Sequence, residues 1–341
     1  MRILHVAHQQ LRKYGATRVN WGQKLYYGLI KNDHHVQTFS DRDVAAFEAP
    51  FGIRDLGRKK SNQRLLQTAE AYQPDLVIVG HCDIITNATI EKVRRLCPGT
   101  VIAGCNNDPL FVPNNYANIA SRCEVMDAMF VSTGERELKQ FEGKRARLLH
   151  MPNPVDPAVE SFDVSLQTNF DHDLIFCSKS EAHTDRGKIV TRVVEDLGRE
   201  MRVYTPGSFG VAGVWGRQYD LALSRSKMGL NLNRQEGFHW YSSARMAQMA
   251  GNGLLIFTHG SADFASLFPE ETLVYFDSTD DLIRELREFH HDDGRRQHWA
   301  SRCRDFFHRE INNKLYSQYI VEASLQLPFS HDYVWCQHET S

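Results

Sequence analysis

Short apolar runs alternate with longer amphipathic stretches along the first half of the chain. Each run is almost continuously apolar, which is typical of strands that are buried on both faces of a parallel sheet. Helical periodicity lies between the runs, for example over residues 17–31 and 135–141. Strands that alternate with helices predict a parallel sheet covered by helices. The predicted strands are ILHVA, HVQTF, DLVIVG, TVIAG, AMFVS and ARLLH.

Three prolines in the segment MPNPVDP, residues 151–157, interrupt this alternation. Proline fixes φ and has no amide hydrogen, so the segment predicts a stiff hinge between two domains. A second α/β series follows it, with helices predicted over residues 188–197 and 280–289 and a long helical region over residues 297–319. The strands predicted in this half are DLIFCS, MRVYT, MGLNL, GLLIF and TLVYF.

A polar corner, NRQEGFHW, follows the strand MGLNL and precedes a short helix of small residues, SSARMAQMAG. In an open α/β sheet, ligands bind at the carboxyl ends of the strands. The guanidinium of Arg234 and the free N–H groups of a helix start suit a phosphate. The carboxylate of Glu236 can accept hydrogen bonds from sugar hydroxyls. This corner is therefore the first candidate for a ligand site.

The same segment resembles the donor-sugar motif of GT-B glycosyltransferases, in which a Glu-Gly-Phe corner precedes a helix that ends in Ala-Cys-Gly or a similar tripeptide. The matching residues here are Glu236-Gly237-Phe238 and Met249-Ala250-Gly251. The CgeB-like, or spore-maturation-protein-like, subgroup is the most similar one. The chain departs from the motif at Met246, where the family usually has a second glutamate, and its corner is two residues longer.

The resemblance implies a GT-B fold, with two Rossmann-like domains whose parallel sheets face a central cleft. Residues 1–155 would form the N-terminal domain on the acceptor side, and residues 156–312 the domain that holds the nucleotide-sugar donor. Residues 313–341 would be a helix and tail that return to the N-terminal domain. The nucleotide sugar would be a substrate, and the resemblance implies no cofactor and no bound metal.

Donor contacts follow from the same resemblance. Arg234, Arg186 and Lys188 would stabilise the leaving phosphate. Arg186 and Lys188 open a predicted helix, where cations are unfavourable unless an anion is near, although a solvated helix start is the alternative. The other predicted donor contacts are Gly207, in a glycine loop that is otherwise a plain turn, and Ser242, Ser243 and Arg245 after the polar corner.

The predicted catalytic residues are Glu236, Asp108 and His81. His81 and Asp108 each follow a predicted strand and are candidate bases if the reaction inverts the anomeric configuration. The alternatives are a structural histidine and a turn-forming Asp-Pro pair. The resemblance suggests a retaining reaction, which needs no such base. Gly15, in the loop after the first strand, would let the backbone approach donor and acceptor, or simply form a turn.

Composition narrows the possibilities further. The 341 residues carry a formal net charge of −2, which argues against general nucleic-acid binding because that requires local positive charge. Seven cysteines without CxxC spacing are typical of a reducing compartment, so we expect a cytoplasmic protein without disulfides or a zinc site. The initial segment MRILHV is too short for the apolar region of a signal peptide, so we expect it to be a first strand, and no apolar run approaches the roughly 20 residues that span a bilayer.

Two charged segments need separate interpretation. Five cations lie between residues 54 and 64, at Arg54, Arg58, Lys59, Lys60 and Arg64. A solvated helix face explains such a run. The alternative is a peripheral contact with the inner face of a membrane or with an anionic glycolipid acceptor. The segment HHDD, residues 290–293, is not expected to bind a metal, because adjacent histidines rarely face one ion.

The resemblance to GT-B enzymes implies a glycosyltransferase that moves a sugar from a nucleotide-sugar donor to a hydroxyl of a saccharide, lipid-linked or small-molecule acceptor. The reaction is expected to be retaining and metal-independent. A catalytically inactive GT-B domain that binds a glycan or a partner is the first alternative, supported by Met246. A nucleotide-sugar epimerase of GT-B fold is the second.

Overall fold

The computed structural model describes residues 1–12 and 19–336. The chain divides into two compact units, of which unit 1 comprises Met1–Pro152 with Asn313–Ser341 and unit 2 comprises Asn153–Asn312. Each unit is built on its own parallel sheet. Gly15 lies outside the described residues.

Unit 1 contains a six-stranded sheet in the order β2-β1-β3-β4-β5-β6, and every pair of neighbouring strands is parallel. All six strands predicted for the first half of the chain are present. The strand order reverses between β1 and β3, so this is where the unit is expected to have a ligand crevice. The strands are β1 Arg2–Val6, β2 His35–Phe39, β3 Leu76–Val79, β4 Val101–Asn106, β5 Ala128–Val131 and β6 Arg147–His150.

Helices follow the strands of unit 1 as the alternation predicts. The helix α1 begins with a capping box, in which Asn20 Oδ1 accepts from the Gln23 N–H and Gln23 Oε1 accepts from the Asn20 N–H, both at 2.9 Å. The predicted helix over residues 135–141 consists of a short α-helix and a 3₁₀ turn. The helices are α1 Trp21–Lys31, α2 Asp41–Phe47, α3 Arg58–Tyr72, α4 Asn87–Leu96, α5 Pro113–Cys123 and α6 Glu135–Leu138.

Unit 2 contains a five-stranded parallel sheet in the order β11-β10-β9-β7-β8. Its core lies between this sheet and the helices, and includes Phe176, Leu230, Phe257 and Phe289, none of which is exposed. The strands are β7 His172–Ile175, β8 Val203–Tyr204, β9 Ser226–Asn231, β10 Leu255–His259 and β11 Val274–Phe276. The helices are α7 Asp185–Leu197, α8 Arg217–Ser224, α9 Arg245–Gly251, α10 Thr279–His291 and α11 Asp293–Glu310.

The long helical region predicted over residues 297–319 is helical on both sides of a break at residues 311–312. Two helices occupy this region: α11 ends at Glu310, and α12 spans Asn313–Leu325. The chain leaves the helical conformation between them, where the Val155 N–H donates to the Ile311 carbonyl at 3.0 Å and Val155 forms a β-bridge with Asn312. The break is therefore imposed by pairing with the start of unit 2, which helical periodicity does not reveal.

The last helix, α12, packs against α1 within unit 1. Trp21 Nε1 donates to the Tyr316 hydroxyl at 2.6 Å, and the Tyr319 hydroxyl donates to the His150 carbonyl at 3.1 Å. The two helices approach so closely at Gly28 that a Cβ there would lie 2.0 Å from the Asn313 carbonyl oxygen. The C-terminal segment thus completes the core of unit 1.

The helix after the polar corner begins at Arg245, three residues later than predicted. The preceding segment is irregular because Trp240 bonds a neighbouring loop: its N–H donates to the Ala262 carbonyl at 2.8 Å and its Nε1 to the Asp263 carbonyl at 3.2 Å. Glu236 is therefore separated from the helix start by the irregular residues 237–244. The predicted helix start at residue 242 is wrong, whereas phosphate binding by the N–H groups of this helix stays a prediction.

Candidate active site

Loops from two neighbouring strands meet at the carboxyl edge of the sheet in unit 2. The strand order of this sheet reverses between β7 and β9, which is where ligands bind in open α/β sheets. The chain after β7 leads to Arg186 in the first turn of α7, and the loop after β9 carries Arg234 and Glu236. The fold therefore brings together side chains that are distant in sequence, at the edge where a ligand is expected.

Three guanidinium groups, those of Arg186, Arg234 and Arg245, form an arginine cluster at this edge. The pKa of Arg186 is lowered to about 10, first by burial and then by the positive charges of Arg245 and Arg234, whereas the charge of Glu236 raises it. A bound anion offsets the repulsion between neighbouring positive charges of this kind. The cluster is therefore suited to a phosphate or diphosphate group.

Arg245 connects the ends of the two strands. Its guanidinium donates to the carbonyl oxygens of Cys177, at 3.2 Å after β7, and Leu232, at 2.7 Å after β9. It also lies 5.6 Å from the ring centre of Phe176. Burial lowers the pKa of Arg245, and its Nε is buried without a hydrogen-bond partner among the described residues. The backbone thus fixes this positive charge in place.

Glu236 is held by its own loop. Its Oε1 accepts from the backbone N–H of Asn233 at 2.7 Å, and its Oε2 accepts from Asn233 Nδ2 at 3.1 Å. Asn233 is buried and also donates to the Tyr241 carbonyl at 3.1 Å, which anchors the loop. In the described part of the chain no ion pair joins Glu236 to Arg234. The fixed carboxylate keeps lone pairs that can accept hydrogen bonds from ligand hydroxyls.

Gly207 lies in a loop that is tied to the chain after β7. The residue has a φ of +87°, and a Cβ there would lie 3.1 Å from the Ser178 carbonyl oxygen. The next residue, Ser208, donates through its hydroxyl to the same carbonyl and accepts from the Ser180 N–H at 3.0 Å. Glycine is favoured here by both its backbone angle and the close approach.

The remaining predicted donor contacts, Ser242, Ser243 and Lys188, have different environments in the structure. Ser242 is buried, and its carbonyl accepts from Asn153 Nδ2 at 3.0 Å. The Ser243 hydroxyl is buried without a hydrogen-bond partner among the described residues. Lys188 is exposed and pairs with Asp185 at 3.3 Å, so its charge has a partner within the first turn of α7.

In unit 1, the structure brings His81 and Asp108 together. His81 follows β3 and Asp108 follows β4, the adjacent strand, and His81 Nδ1 lies 2.9 Å from Asp108 Oδ2. The hydrogen bond to Asp108 raises the pKa of His81, although burial opposes the effect. Both side chains are partly exposed. With Nδ1 facing a carboxylate, Nε2 is the ring nitrogen that can contact a ligand.

Two asparagines that sequence reasoning missed position these carboxylates. Asn106 Oδ1 accepts from the Asp108 N–H at 2.8 Å, and its Nδ2 lies 3.4 Å from His81 Nδ1. Asn233 holds the Glu236 carboxylate directly, by donating to it through its backbone N–H and its Nδ2. Both amides lie at the end of a buried strand or just after it, and a polar residue in that position is the signal that could have identified them.

Met246, at the position where the resemblance expects a second glutamate, is buried in the first turn of α9. It therefore contributes to packing and supplies no polar group to the site. Among the described residues, no group of three or more His, Cys, Asp or Glu side chains is arranged to hold a metal ion. None of the helices in residues 1–12 and 19–336 is long and apolar enough to cross a membrane.

Comparison with known proteins agrees with the predicted enzyme class. Residues 186–321, which include the arginine cluster and Glu236, match a family model described as glycosyl transferase-like. No curated protein matches the chain in sequence.

Several solved structures are similar to the whole chain. HepE of Anabaena in complex with UDP and glucose is 12% identical with a TM-score of 0.60, over 96% of this chain and 100% of HepE. Sucrose-phosphate synthase from Thermosynechococcus elongatus is 10% identical with a TM-score of 0.59, and the match covers 96% of this chain and 99% of the synthase. AviGT4, a glycosyltransferase involved in avilamycin A biosynthesis, is 14% identical with a TM-score of 0.58, and the match covers 95% of this chain and 97% of AviGT4.

At these identities the similarity shows the fold. The predicted class, two Rossmann-like parallel-sheet domains of the GT-B type, is confirmed, and so is the resemblance to GT-B glycosyltransferases. No comparison bears on the CgeB-like subgroup.

Proposed function

We propose that this protein is a glycosyltransferase that moves a sugar from a nucleotide-sugar donor to a hydroxyl group of an acceptor. The observation that carries the proposal is the arginine cluster beside Glu236, inside the segment that matches glycosyl transferase-like proteins. HepE, whose fold this chain shares, has been solved with UDP and with UDP-glucose. A nucleoside diphosphate sugar is accordingly the donor that we propose.

The arginine cluster would act on the leaving group. In the reaction, the bond between the anomeric carbon and the donor phosphate breaks, and the anomeric carbon bonds to the acceptor oxygen, which loses its proton. Negative charge grows on the departing phosphate, and Arg186, Arg234 and Arg245 supply fixed positive partners for it. Losing one such partner typically costs about 10²–10³ in rate. Because guanidinium groups provide this charge, we propose a metal-independent reaction.

Glu236 would bind hydroxyls of the donor sugar or its ribose. Its carboxylate is held by Asn233 through two hydrogen bonds, so it does not have to be ordered when the donor binds. Charge-assisted hydrogen bonds of this kind are stronger than neutral ones. The same carboxylate thereby contributes to both donor affinity and donor orientation.

Unit 1 would bind the acceptor, a saccharide, a lipid-linked sugar or a small molecule, near His81 and Asp108. In the retaining reaction that the resemblance suggests, His81 donates or accepts a hydrogen bond and no protein base is required. The His81–Asp108 hydrogen bond favours a second candidate, an inverting reaction in which Nε2 removes the acceptor proton. The anomeric configuration of the product, read by NMR, distinguishes the two reactions.

A thermal-shift screen tests the donor proposal. Nucleoside diphosphates and their sugars should raise the melting temperature, and a ligand at about 100 times its dissociation constant adds about 2.7 kcal/mol to stability. NAD and inorganic phosphate serve as controls and should have little effect. A shift with NAD and none with any nucleotide would refute the glycosyltransferase proposal.

Turnover distinguishes the enzyme from an inactive binding domain, for which the buried Met246 is the supporting observation. An intact enzyme slowly hydrolyses its donor without acceptor, and this release of nucleotide can be measured directly. Binding of nucleotide sugar with no hydrolysis and no transfer would favour the inactive domain. Conversion of the donor to its epimer would favour the epimerase instead.

We also propose that the protein works in the cytoplasm. Cys82, Cys105 and Cys303 are buried free thiols, and burial raises the pKa of each. Such thiols are inert structural residues in a reducing compartment. Fractionation of the native host followed by immunoblotting tests this location.

A further inference from the structure

An apolar surface of unit 1 protrudes into solvent. We call it the apolar face, and its residues are Phe47, Phe51, Ile53 and Leu56. The exposed fractions are 61% for Phe47, 98% for Phe51, 52% for Ile53 and 61% for Leu56. Single exposed apolar residues are ordinary, but contiguous ones mark an interaction surface. Arg12 places Phe47 next to the turn that carries Phe51, since its guanidinium lies 5.9 Å from the Phe47 ring and donates to the Gly52 carbonyl at 3.3 Å. Ile53 and Leu56 follow in the next turn, where the Leu56 N–H donates to the Ile53 carbonyl at 3.0 Å.

The backbone holds Phe51 outward in an unfavourable conformation. Phe51 has a φ of +56°, which is rare for a bulky residue, and Gly52 follows with a φ of +68°. The turn is braced by hydrogen bonds from the Gly52 N–H to the Ala49 carbonyl and from the Ile53 N–H to the Pro50 carbonyl, both at 3.2 Å. Strain of this kind persists where the surrounding structure enforces it and is concentrated at functional surfaces.

The segment behind the apolar face is also fixed. Gly57 lies against α2 so closely that a Cβ there would be 1.7 Å from the Ala45 carbonyl oxygen. Only glycine permits this approach, which holds the 3₁₀ turn Arg54–Gly57 onto α2. The exposed side chains are consequently presented by a packed element rather than by a loose loop.

Positive charge borders the apolar face. The first turn of α3 carries Arg58, Lys59 and Lys60 and no acidic residue. Cations at a helix start are unfavourable unless an anion is near. Lys59 and Lys60 are exposed, and neither forms an ion pair within the described part of the chain. Arg54 and Arg58 are partly neutralised by Asp83 and Asp55, so the two lysines provide most of the unbalanced charge.

We propose that the apolar face and Lys59 and Lys60 bind the surface of an anionic lipid bilayer. Aromatic and aliphatic side chains that protrude beside lysines match the boundary between acyl chains and anionic headgroups. A nucleic acid would match the lysines but leave Ile53 and Leu56 exposed to water. The lysines favour a membrane over a second copy of this chain, because two identical faces would bring like charges together.

The proposed membrane surface is connected to the His81–Asp108 pair through Asp83, which lies in the same loop as His81. The Asp83 carboxylate accepts from Arg42 Nε at 2.9 Å and pairs with Arg54 at 3.6 Å, and its carbonyl accepts from Arg58 Nη1 at 2.6 Å. If the proposed glycosyltransferase activity holds, this connection favours an acceptor that resides in or at the membrane. Lipid binding itself does not depend on that activity.

Vesicle co-sedimentation tests the proposal on the full chain. Vesicles of phosphatidylcholine with roughly one third phosphatidylglycerol are compared with pure phosphatidylcholine vesicles, at low and at high salt. The wild type should bind the anionic vesicles at least tenfold more tightly than the neutral ones, and salt should weaken that binding.

Two pairs of substitutions separate the apolar and the charged contributions. Phe51→Ser with Leu56→Ser should weaken binding to anionic vesicles tenfold or more. Lys59→Gln with Lys60→Gln should weaken it comparably and reduce its salt dependence. The matched controls are Leu166→Ser, an exposed leucine of unit 2, and Lys92→Gln with Lys139→Gln, exposed lysines elsewhere in unit 1. The controls should bind like the wild type.

Three results would overturn the proposal. One is wild-type binding that is absent or equal for both kinds of vesicle. Another is equal binding by the apolar-face variant and the Leu166→Ser control. The third is a concentration-dependent dimer in sedimentation velocity that Phe51→Ser with Leu56→Ser abolishes, which would assign the face to self-association. Donor hydrolysis measured without vesicles should be unchanged in every variant, so failure of the donor proposal is recognised separately.

Discussion

Glu236, at the carboxyl edge of the sheet in unit 2, has both a structural contact and a proposed role in donor binding. Glu236 accepts two hydrogen bonds from Asn233, and the structure gives it no ion pair with Arg234 in the described part of the chain. We expect Glu236→Gln to lower donor turnover tenfold or more, equivalent to about 1.4 kcal/mol. The melting temperature should fall only slightly, because the amide oxygen can still accept from the Asn233 N–H and only the bond from Asn233 Nδ2 is lost.

Steady-state kinetics and a melting curve measure these two effects. The neighbouring Gln235→Ala is the matched control, since Gln235 is exposed and should affect neither quantity. Wild-type turnover in Glu236→Gln would remove this residue from the donor site.

The arginine cluster predicts opposite effects on the free and the liganded protein. Arg234 is exposed, and its charge lowers the pKa of Arg186, so Arg234→Gln removes a repulsion in the absence of ligand. The melting temperature of the free protein should stay the same or rise. Affinity for a nucleoside diphosphate, measured by calorimetry, should fall at least tenfold. Arg199→Gln is the control, because it removes an exposed arginine from the loop after α7. It should change neither the melting temperature nor the affinity for a nucleoside diphosphate.

His81 provides a test that depends on pH. The hydrogen bond to Asp108 raises the pKa of His81 above its ordinary value of 6.5 in the folded protein. The charged pair therefore stabilises the fold at pH values below 6.5, and this stabilisation is lost as pH rises through the raised pKa. Asp108→Asn should lower the pKa of His81 in an NMR titration and reduce stability mainly on the acidic side of neutrality. An unchanged histidine pKa would contradict the observed pair.

At the level of elements, the contact between α1 and α12 depends on a glycine. A Cβ at Gly28 would lie 2.0 Å from a backbone oxygen of Asn313 and 2.6 Å from Ser317 Oγ. We expect Gly28→Ala to destabilise the protein by about 1–3 kcal/mol, because the helices must separate. This outweighs the gain of up to about 1 kcal/mol in helix propensity.

Denaturant unfolding of Gly28→Ala measures this loss. In Gly294→Ala the nearest atom would be at an ordinary 3.6 Å, so that helical glycine is the control and its substitution should be neutral or stabilising. Equal stability of the two variants would show that α1 and α12 do not pack as closely as described.

The elements themselves follow largely from the sequence. All eleven predicted strands are present, because short, continuous apolar runs in an α/β chain usually form strands that are buried on both faces of a parallel sheet. Helix limits follow less well. Residues 297–319 keep helical periodicity through Ile311 and Asn312, yet pairing with Val155 breaks the helix there. The start of α9 is likewise delayed by hydrogen bonds between Trp240 and a neighbouring loop.

At the level of the whole molecule, the two units differ in the number of chain segments that form them. Unit 2 is one continuous segment, whereas unit 1 requires the C-terminal helix α12. We expect residues 153–312 expressed alone to fold and to bind a nucleoside diphosphate within a few-fold of the intact protein. Residues 1–152 alone should fail to fold stably, because they lose the contacts of Trp21 and His150 with α12.

Circular dichroism and the dispersion of NMR signals measure folding of the two segments. Adding residues 313–341 as a separate peptide is the control for residues 1–152 and should restore structure. A cooperative, wild-type melting transition of residues 1–152 alone would contradict the role assigned to α12.

The sequence by itself determines the two α/β series, the strands and the polar corners at their ends, because these depend on local apolar patterning and on residues close in the chain. Tertiary structure alone decides which corners meet. The strand order places Arg186 beside Arg234 and His81 beside Asp108. It also gives Asn233 and Asn106 their roles and exposes the apolar face, since neither a hydrogen-bond partner nor solvent exposure is encoded in local periodicity.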